Sequence, residues 1–394
     1  MPLRERIVAA WRARAELERD PELDCYRLFH GHSDGWPGLA IDRYGDAVVI
    51  AHWPELAPRL GEVLESLDGC RRFAVAVARA SGREAGPGAP PTLLRGDPPA
   101  GPTWQVREHG LRFAVDLLRA GNPGLYLDAR PVRQWIRAHA SGRRVLNLFA
   151  FTGSLGVAAA AGGARQVVHV DSHRGALEWC RANSALNRVA LDQRDLARMN
   201  IYQHIRRAQA GRQRYGAIIL DPPPGPAEPR PKDRTPGRRG PLALAPLAAR
   251  MLEPGGWLLC FFHRDSRERG EIEAEVADAA GDARLELLWR GESGADFPDP
   301  DRRRALRVSA WTCARASESA TPGEPATTSE SATPGESATS ESATTSESAM
   351  PGEPATSESA TPRESATKPR AGGEPPSWPD ATAIDATRPR GPRA

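Results

Sequence analysis

Apolar positions recur along this chain at two spacings, and the two spacings divide it. From about residue 140 onward, short and nearly continuous apolar runs alternate with segments whose apolar residues return every three or four positions. Runs of the first kind read as buried strands, at 144–150, 166–171, 216–221 and 256–262. Segments of the second kind read as helices, over 154–162, 173–187, 201–210, 241–252 and 267–279. A short strand precedes Asn200. Two late strands, 284–290 and 305–312, follow with no full helix between them. Regular strand–helix alternation predicts a doubly wound parallel sheet with right-handed crossovers. The late pair predicts an antiparallel strand at one end.

Upstream the pattern is different. Residues 1–20 predict a charged amphipathic helix with Ile7, Val8, Trp11 and Leu17 on one face. The stretch Asp34–Ile50 holds a Gly/Pro turn, a strand, a Gly-Asp turn and a second strand. A helix is expected over 55–67, an extended segment over 72–78 and a Pro/Gly-rich loop over 80–102. Residues 103–108 and 111–117 form a hairpin around Gly110. These elements make a small α+β unit. From Ala314 the sequence repeats S-E-S-A-T-P-G-E with variations and has almost no large apolar side chains. Such a segment cannot bury enough surface to offset chain entropy, so 314–394 is expected to be disordered. The division is therefore 1–20, 21–110, 111–313 and 314–394.

Composition narrows the class. The five cysteines are scattered and odd in number, without metal-type spacing, which fits a reducing compartment and no structural metal. No apolar run reaches the roughly 20 residues that a membrane span needs, and the N-terminus has no apolar signal core. A cytoplasmic protein is the expectation. The net charge of +3 hides an asymmetry, because the tail carries 7 Lys and Arg against 12 Asp and Glu. The body is more basic than the whole, which suits a polyanionic partner, although abundant Arg throughout accounts for part of it.

The candidate chemistry lies at strand ends. After the first sheet strand comes F-T-G-S-L-G (Phe151–Gly156). There Gly153 permits close backbone approach beside Thr152, and the next helix presents free N–H groups. This is not the G-x-G-x-x-G dinucleotide fingerprint, and an ordinary β–α turn is the plainer reading. The second strand ends in Asp171, a carboxylate able to accept both hydroxyls of a ribose or to cap the next helix. The strand at 216–221 ends in Asp221-Pro222-Pro223. Its prolines forbid a helix and fix an extended bend that aims Asp221 at the cleft. Arg230, Lys232, Arg234, Arg238 and Arg239 follow, placed to hold phosphates or simply solvated. Just before the first sheet strand, Y-L-D-A-R-P-V-R offers an Asp128–Arg130 pair with Arg133 one turn later.

Taken together, several blocks resemble the class I S-adenosylmethionine-dependent methyltransferases of 23S ribosomal RNA, in their cytosine-C5 and guanine-N7 branches. The blocks are D-G-W-P-G-L-A-I-D-R-Y-G-D, G-N-P-G-L-Y-L-D-A-R-P-V-R, V-L-N-L-F-A-F-T-G, V-D-S and L-D-P-P, and the likeness runs from about 27 to 312. The resemblance implies a Rossmann-like fold, S-adenosyl-L-methionine as cofactor, RNA as partner and residues 111–313 as the methyltransferase domain. It implies that Phe149, Thr152 and Gly153 line the methionine end, Asp171 holds the ribose and Asn200 meets the adenine amino group. Tyr126, Asp128 and Arg130 would close the pocket. Asp221, Pro222 and Pro223 would face the target base.

Two departures qualify the match. The family often has Asp where Asn200 stands, although an amide oxygen can accept the same hydrogen bond. Cytosine-C5 members place a thiol at the position of His263, and C5 chemistry needs a thiolate to add to the ring. Cys260 is three residues earlier, on the opposite face of a strand, and is expected to be a packing residue. The missing thiol tilts the expectation toward N7, whose lone pair needs only alignment. There is also no room before residue 21 for the cytosine branch's N-terminal RNA-binding module. Three other readings stay open: an RNA-binding protein with a degenerate cofactor site, a methyltransferase for a non-RNA substrate, and a nicotinamide oxidoreductase.

Overall fold

The computed structural model of the 394-residue chain describes residues 1–82, 89–223, 241–262, 267–299 and 306–314. The expected disordered tail, His263 and the Arg-rich loop at 230–239 lie outside the described residues, apart from Ala314.

The first elements are helices α1 (Leu3–Ala13) and α2 (Ala15–Arg19), strands β1 (Cys25–His30), β2 (Leu39–Tyr44) and β3 (Ala47–His52), helix α3 (Leu60–Asp68), and strands β4 (Val75–Ala80) and β5 (Thr92–Arg95). The five strands form one sheet in chain order. The single helix expected over 1–20 breaks at Arg14. Its buried guanidinium turns inward to Asp34 (2.7 Å) and to the Ala10 carbonyl (3.1 Å), so a tertiary ion pair overrides local helix preference. β5 lies inside the expected 80–102 loop. Four residues between proline clusters carry no readable periodicity, and only pairing with β4 makes them a strand. The expected hairpin is present as β6 (Trp104–Glu108) and β7 (Leu111–Val115). The boundary expected at 110 thus falls on its turn.

The rest alternates as expected: α4 (Arg130–His139), β8 (Arg144–Leu148), α5 (Ser154–Ala161), β9 (Gln166–Asp171), α6 (Arg174–Leu186), β10 (Leu196–Arg198), α7 (Ile201–Ala210), β11 (Tyr215–Leu220), α8 (Pro241–Ala249), β12 (Leu252–Phe261), α9 (Arg269–Ala280), β13 (Leu285–Gly291) and β14 (Val308–Cys313). The sheet order is β10-β9-β8-β11-β12-β14-β13, parallel except for β14. The antiparallel strand is therefore not at the end, as expected, but one place in. Burial gives the reason. β14 places Val308, Ala310 and Trp311 in the core, whereas Leu287 and Leu288 of β13 are exposed. The more apolar strand takes the inner place.

Period-two alternation sends successive residues of the central strands to opposite faces. Val145, Ala217, Ile219, Trp257 and Leu259 join a core continuous with Ile41, Ile50 and Phe113 of the first unit. Leu146, Leu148, Ile218, Leu220 and Leu258 join a second core with Ile201, Ile205 and Val276. β11, buried along its whole length, sits at the middle of the sheet. Among the described residues, no helix is long and apolar enough to cross a membrane, and no three metal-ligating side chains cluster.

Candidate active site

The sheet winds in two directions from its middle. β8, β9 and β10 step outward one way, and β11 and β12 the other, so the order reverses between β8 and β11. Loops leaving the carboxyl ends of those two strands part there and leave a crevice, the usual ligand position in such sheets.

The turn leaving β8 is bent into an unfavourable shape. Phe149 has φ 58°, Phe151 φ 48° and Gly153 φ 81°, all in the left-handed region. Two aromatic residues there cost on the order of 1–3 kcal/mol each, so neighbouring groups must hold the turn. Several do. The Phe151 N–H donates to Asp171 Oδ2 (2.9 Å), and Asn183 Nδ2 donates to the Thr152 carbonyl (2.9 Å). Thr152 Oγ1 donates to the Gly124 carbonyl (2.7 Å). Gly153 is required twice over: its φ is positive, and a Cβ there would lie 2.4 Å from Cys180 Sγ. The result is a rigid turn with half-buried Phe149 and Phe151 at the rim.

Asp171 ends β9 beside this turn. Its Oδ1 accepts the His173 N–H (2.9 Å) while Oδ2 accepts that of Phe151. Two ionised oxygens offer about four acceptor sites, so the same carboxylate that shapes the turn can also receive a ribose diol. The helix-capping role expected of Asp171 is not seen, since His173 holds the N-cap of α6 without a side-chain cap; the carboxylate braces the turn and remains able to accept a ribose diol.

Tyr126 faces the turn from the other side. It is 48% exposed, and its ring lies 5.7 Å from that of Phe151. Partial burial, then the carboxylates of Asp221 and Asp128, push its phenol up to about 12. Tyr126, Asp128 and Asp221 therefore share one electrostatic neighbourhood at the ends of β8 and β11. Asp221 is half-buried, and buried Pro222 and exposed Pro223 continue the bend.

Three expected residues have other duties in the structure. Thr152 is fully buried, and its hydroxyl ties the turn to Gly124 rather than facing a ligand. Arg130 does not take Asp128 as its ion-pair partner. It grips the wholly buried Asp296 with two bonds (2.6 and 3.2 Å), a residue 166 positions away. Asn200 lies on the same rim, since the Met199 N–H donates to the Asp171 carbonyl (3.1 Å). Its amide oxygen caps α7 by accepting the Tyr202 N–H (2.9 Å), as Asn favours, and is not reserved for an adenine. Cys260 is wholly buried in β12, and burial pushes its thiol well up, as expected of a packing residue.

Sequence reasoning singled out Arg133 without its partner and missed Asn183, and both brace this site. Arg133 forms a buried pair with Glu108 (2.6 Å) and donates to the Tyr126 carbonyl (2.9 Å). Asn183 links the turn to β7 by accepting the Ala114 N–H (2.8 Å). Each is a long-range contact with no local signature. Only Gly124 carried a signal, in N-P-G-L; a Cβ there would strike Trp179 at 2.3 Å.

This donor set fits an adenosyl cofactor: backbone bared by a glycine turn, a carboxylate for a ribose diol and an aromatic cover. Comparison with known proteins agrees. The model of the S-adenosylmethionine-dependent methyltransferase family matches residues 26–311. Ribosomal RNA large subunit methyltransferase I of Erwinia tasmaniensis is 33% identical over 304 residues, covering 74% of this chain and 75% of that protein. Its namesake from Serratia proteamaculans is 32% identical over 292 residues, covering 70% of each. In fold, the chain resembles a candidate SAM-dependent methyltransferase from Streptococcus mutans, with TM-score 0.69 and 22% identity over 78% of this chain and 80% of that one. A SAM-dependent methyltransferase from Agrobacterium tumefaciens gives TM-score 0.51 and 18% identity over 74% and 91%. With the crevice, its braced turn and a family match across most of its length, the chain belongs to the S-adenosylmethionine-dependent methyltransferases.

Proposed function

We propose that this protein transfers the methyl group of S-adenosylmethionine to a base of 23S ribosomal RNA in the cytoplasm. The observation that carries the reading is the braced turn and Asp171 at the sheet's switch point, in a chain a third identical to large-subunit ribosomal RNA methyltransferases over three quarters of its length. When bound, the cofactor supplies a methyl group activated by a sulfonium. Asp171 receives the ribose hydroxyls and keeps the turn in shape. Tyr126 covers the crevice and limits water at the reacting centre. Asp221 accepts hydrogen bonds from the edge of the target base and fixes its angle of approach, so that alignment supplies much of the rate.

The acceptor we favour is a ring nitrogen, which already holds a lone pair. Methylation at cytosine C5 needs an accessible thiolate. Cys25, Cys180 and Cys260 are buried. Burial pushes Cys180 up to about 12 and raises Cys25 well above its ordinary value. Cys313 closes β14 at the opposite rim, since Trp257 near the start of β12 pairs with Thr312. Cys70 follows α3 in the first unit. Cys260→Ala is accordingly expected to keep methyl transfer within about threefold of wild type, losing only packing stability on the order of 1 kcal/mol. A loss of a thousandfold or more with the fold intact would establish thiol chemistry instead.

Mass-spectrometric mapping of ribosomal RNA from a strain lacking the gene tests the substrate. One large-subunit nucleotide is expected to lose a methyl group and regain it on complementation. An unchanged profile would refute the ribosomal assignment.

A further inference from the structure

On the first sheet lies a cavity of about 420 Å³ that the reaction described above does not use. Its wall includes Arg27, His30, His32, Ser81, Asp299 and Trp53. Trp53 is 42% exposed, yet its indole is seated firmly. The Trp53 backbone N–H donates to the Gly38 carbonyl (2.8 Å). A Cβ on Gly38 would lie 2.5 Å from the indole, and one on Gly82 would lie 3.0 Å from it. Both glycines have positive φ (+82° and +96°), so the backbone itself forms the seat. A large apolar ring held in place and left open to solvent is a ready stacking platform, because its ordering is already complete.

Among the described residues the charge in the cavity is balanced. Arg27 is tied to Asp42 by two bonds (2.7 and 2.9 Å) and lies 4.4 Å above the Phe297 ring. Asp299 adds a carboxylate that already has a partner of its own. Burial, then the Arg27 charge, lower His30 to about 4, so its imidazole is neutral at physiological pH. The surroundings do not favour a phosphate or another free anion. They favour a flat, neutral ring that both donates and accepts hydrogen bonds. A nucleobase has that chemistry, and the volume lies within the usual range for a small ligand.

The cavity lies within electrostatic reach of the crevice, because Arg27 in its wall feels the charge of Asp128. Phe297 lies against His30 and Arg27 and follows Asp296, which grips Arg130. Arg130 in turn stands two residues after Asp128. On these grounds, and resting on the RNA reading above, we propose that the cavity is a subsite for one unstacked nucleobase of the RNA substrate, a neighbour of the methylated one, stacked on Trp53.

The test uses the full chain and a short single-stranded RNA of mixed sequence, labelled with fluorescein or substituted with 4-thiouridine. Trp53→Ala is expected to weaken RNA binding, measured by anisotropy, by tenfold or more, since one base–aromatic stack is worth about that. Trp53→Phe keeps a ring and is expected to stay within about threefold. Calorimetric titration of S-adenosylmethionine is expected to be unchanged in both. On wild-type protein, photocrosslinks are expected at Trp53 or His32, a readout independent of any variant's folding. If Trp53→Ala binds and methylates RNA like wild type, or crosslinks map only elsewhere, the subsite falls and the methyltransferase reading stands. If wild-type protein binds no RNA at all, both fall.

Discussion

Asp296→Ala is expected to lower stability by about 3–5 kcal/mol, the usual cost of breaking a buried ion pair from one side. Asp296 is wholly buried and holds several parts of the molecule at once. Its carboxylate receives Arg130 and the Arg27 N–H (3.0 Å), and its carbonyl receives Arg14 (3.1 Å). Truncation leaves the Arg130 guanidinium, 4% exposed, without its counter-charge. It also frees the segment that carries Tyr126 and Asp128, so cofactor affinity is expected to fall along with stability. Asp296→Asn retains an acceptor and is expected to lose less. Urea midpoints followed by tryptophan fluorescence give the answer; a change below about 1 kcal/mol, ordinary for a surface site, would remove Asp296 from this account.

Asp171→Ala is expected to weaken S-adenosylmethionine binding about a hundredfold. Hydrogen bonds to a charged group are worth about 1.5–3 kcal/mol each, and this carboxylate supports binding in two ways. On the proposed reading it accepts the cofactor's ribose, and it pins the Phe151 N–H that keeps the turn at φ 48°. Without that acceptor, the turn is expected to relax toward ordinary backbone angles and lose its shape. Asp171→Asn keeps one acceptor oxygen and is expected to lose about tenfold. Calorimetry on both variants separates this account from a degenerate site. Wild-type affinity in Asp171→Ala would place the ribose elsewhere, and no heat with wild-type protein would make the chain an RNA-binding protein with a vestigial pocket.

What the sequence disclosed follows from how local each cause is. β8, β9, β11 and β12 are apolar runs bounded by turn residues, and such runs declare themselves. Gly153, Asp171 and Asp221 were legible because a strand end, a glycine turn and a proline bend each leave a short signature. α7 was readable to its ends because Asn200 caps it, its amide oxygen accepting the Tyr202 N–H. The Arg130 partner was not legible, because nothing near Asp296 distinguishes it from Asp128 until the fold brings them together. β5 and the inner place of β14 were hidden for the same reason: neighbouring strands settle both. Thr152 misled in a different way. A hydroxyl beside a ligand-type turn suggests a contact, and only the position of Gly124 shows that the bond closes inside the protein.

On the proposed reading, one crevice at the carboxyl ends of β8, β9 and β11 moves a methyl group from S-adenosylmethionine to RNA. Incubating the protein with tritium-labelled cofactor, unmodified large-subunit ribosomal RNA and a protein extract measures this directly. Label is expected in the RNA, and hardly any is expected when Asp171→Ala replaces wild type. Label in the extract and none in the RNA would contradict the account.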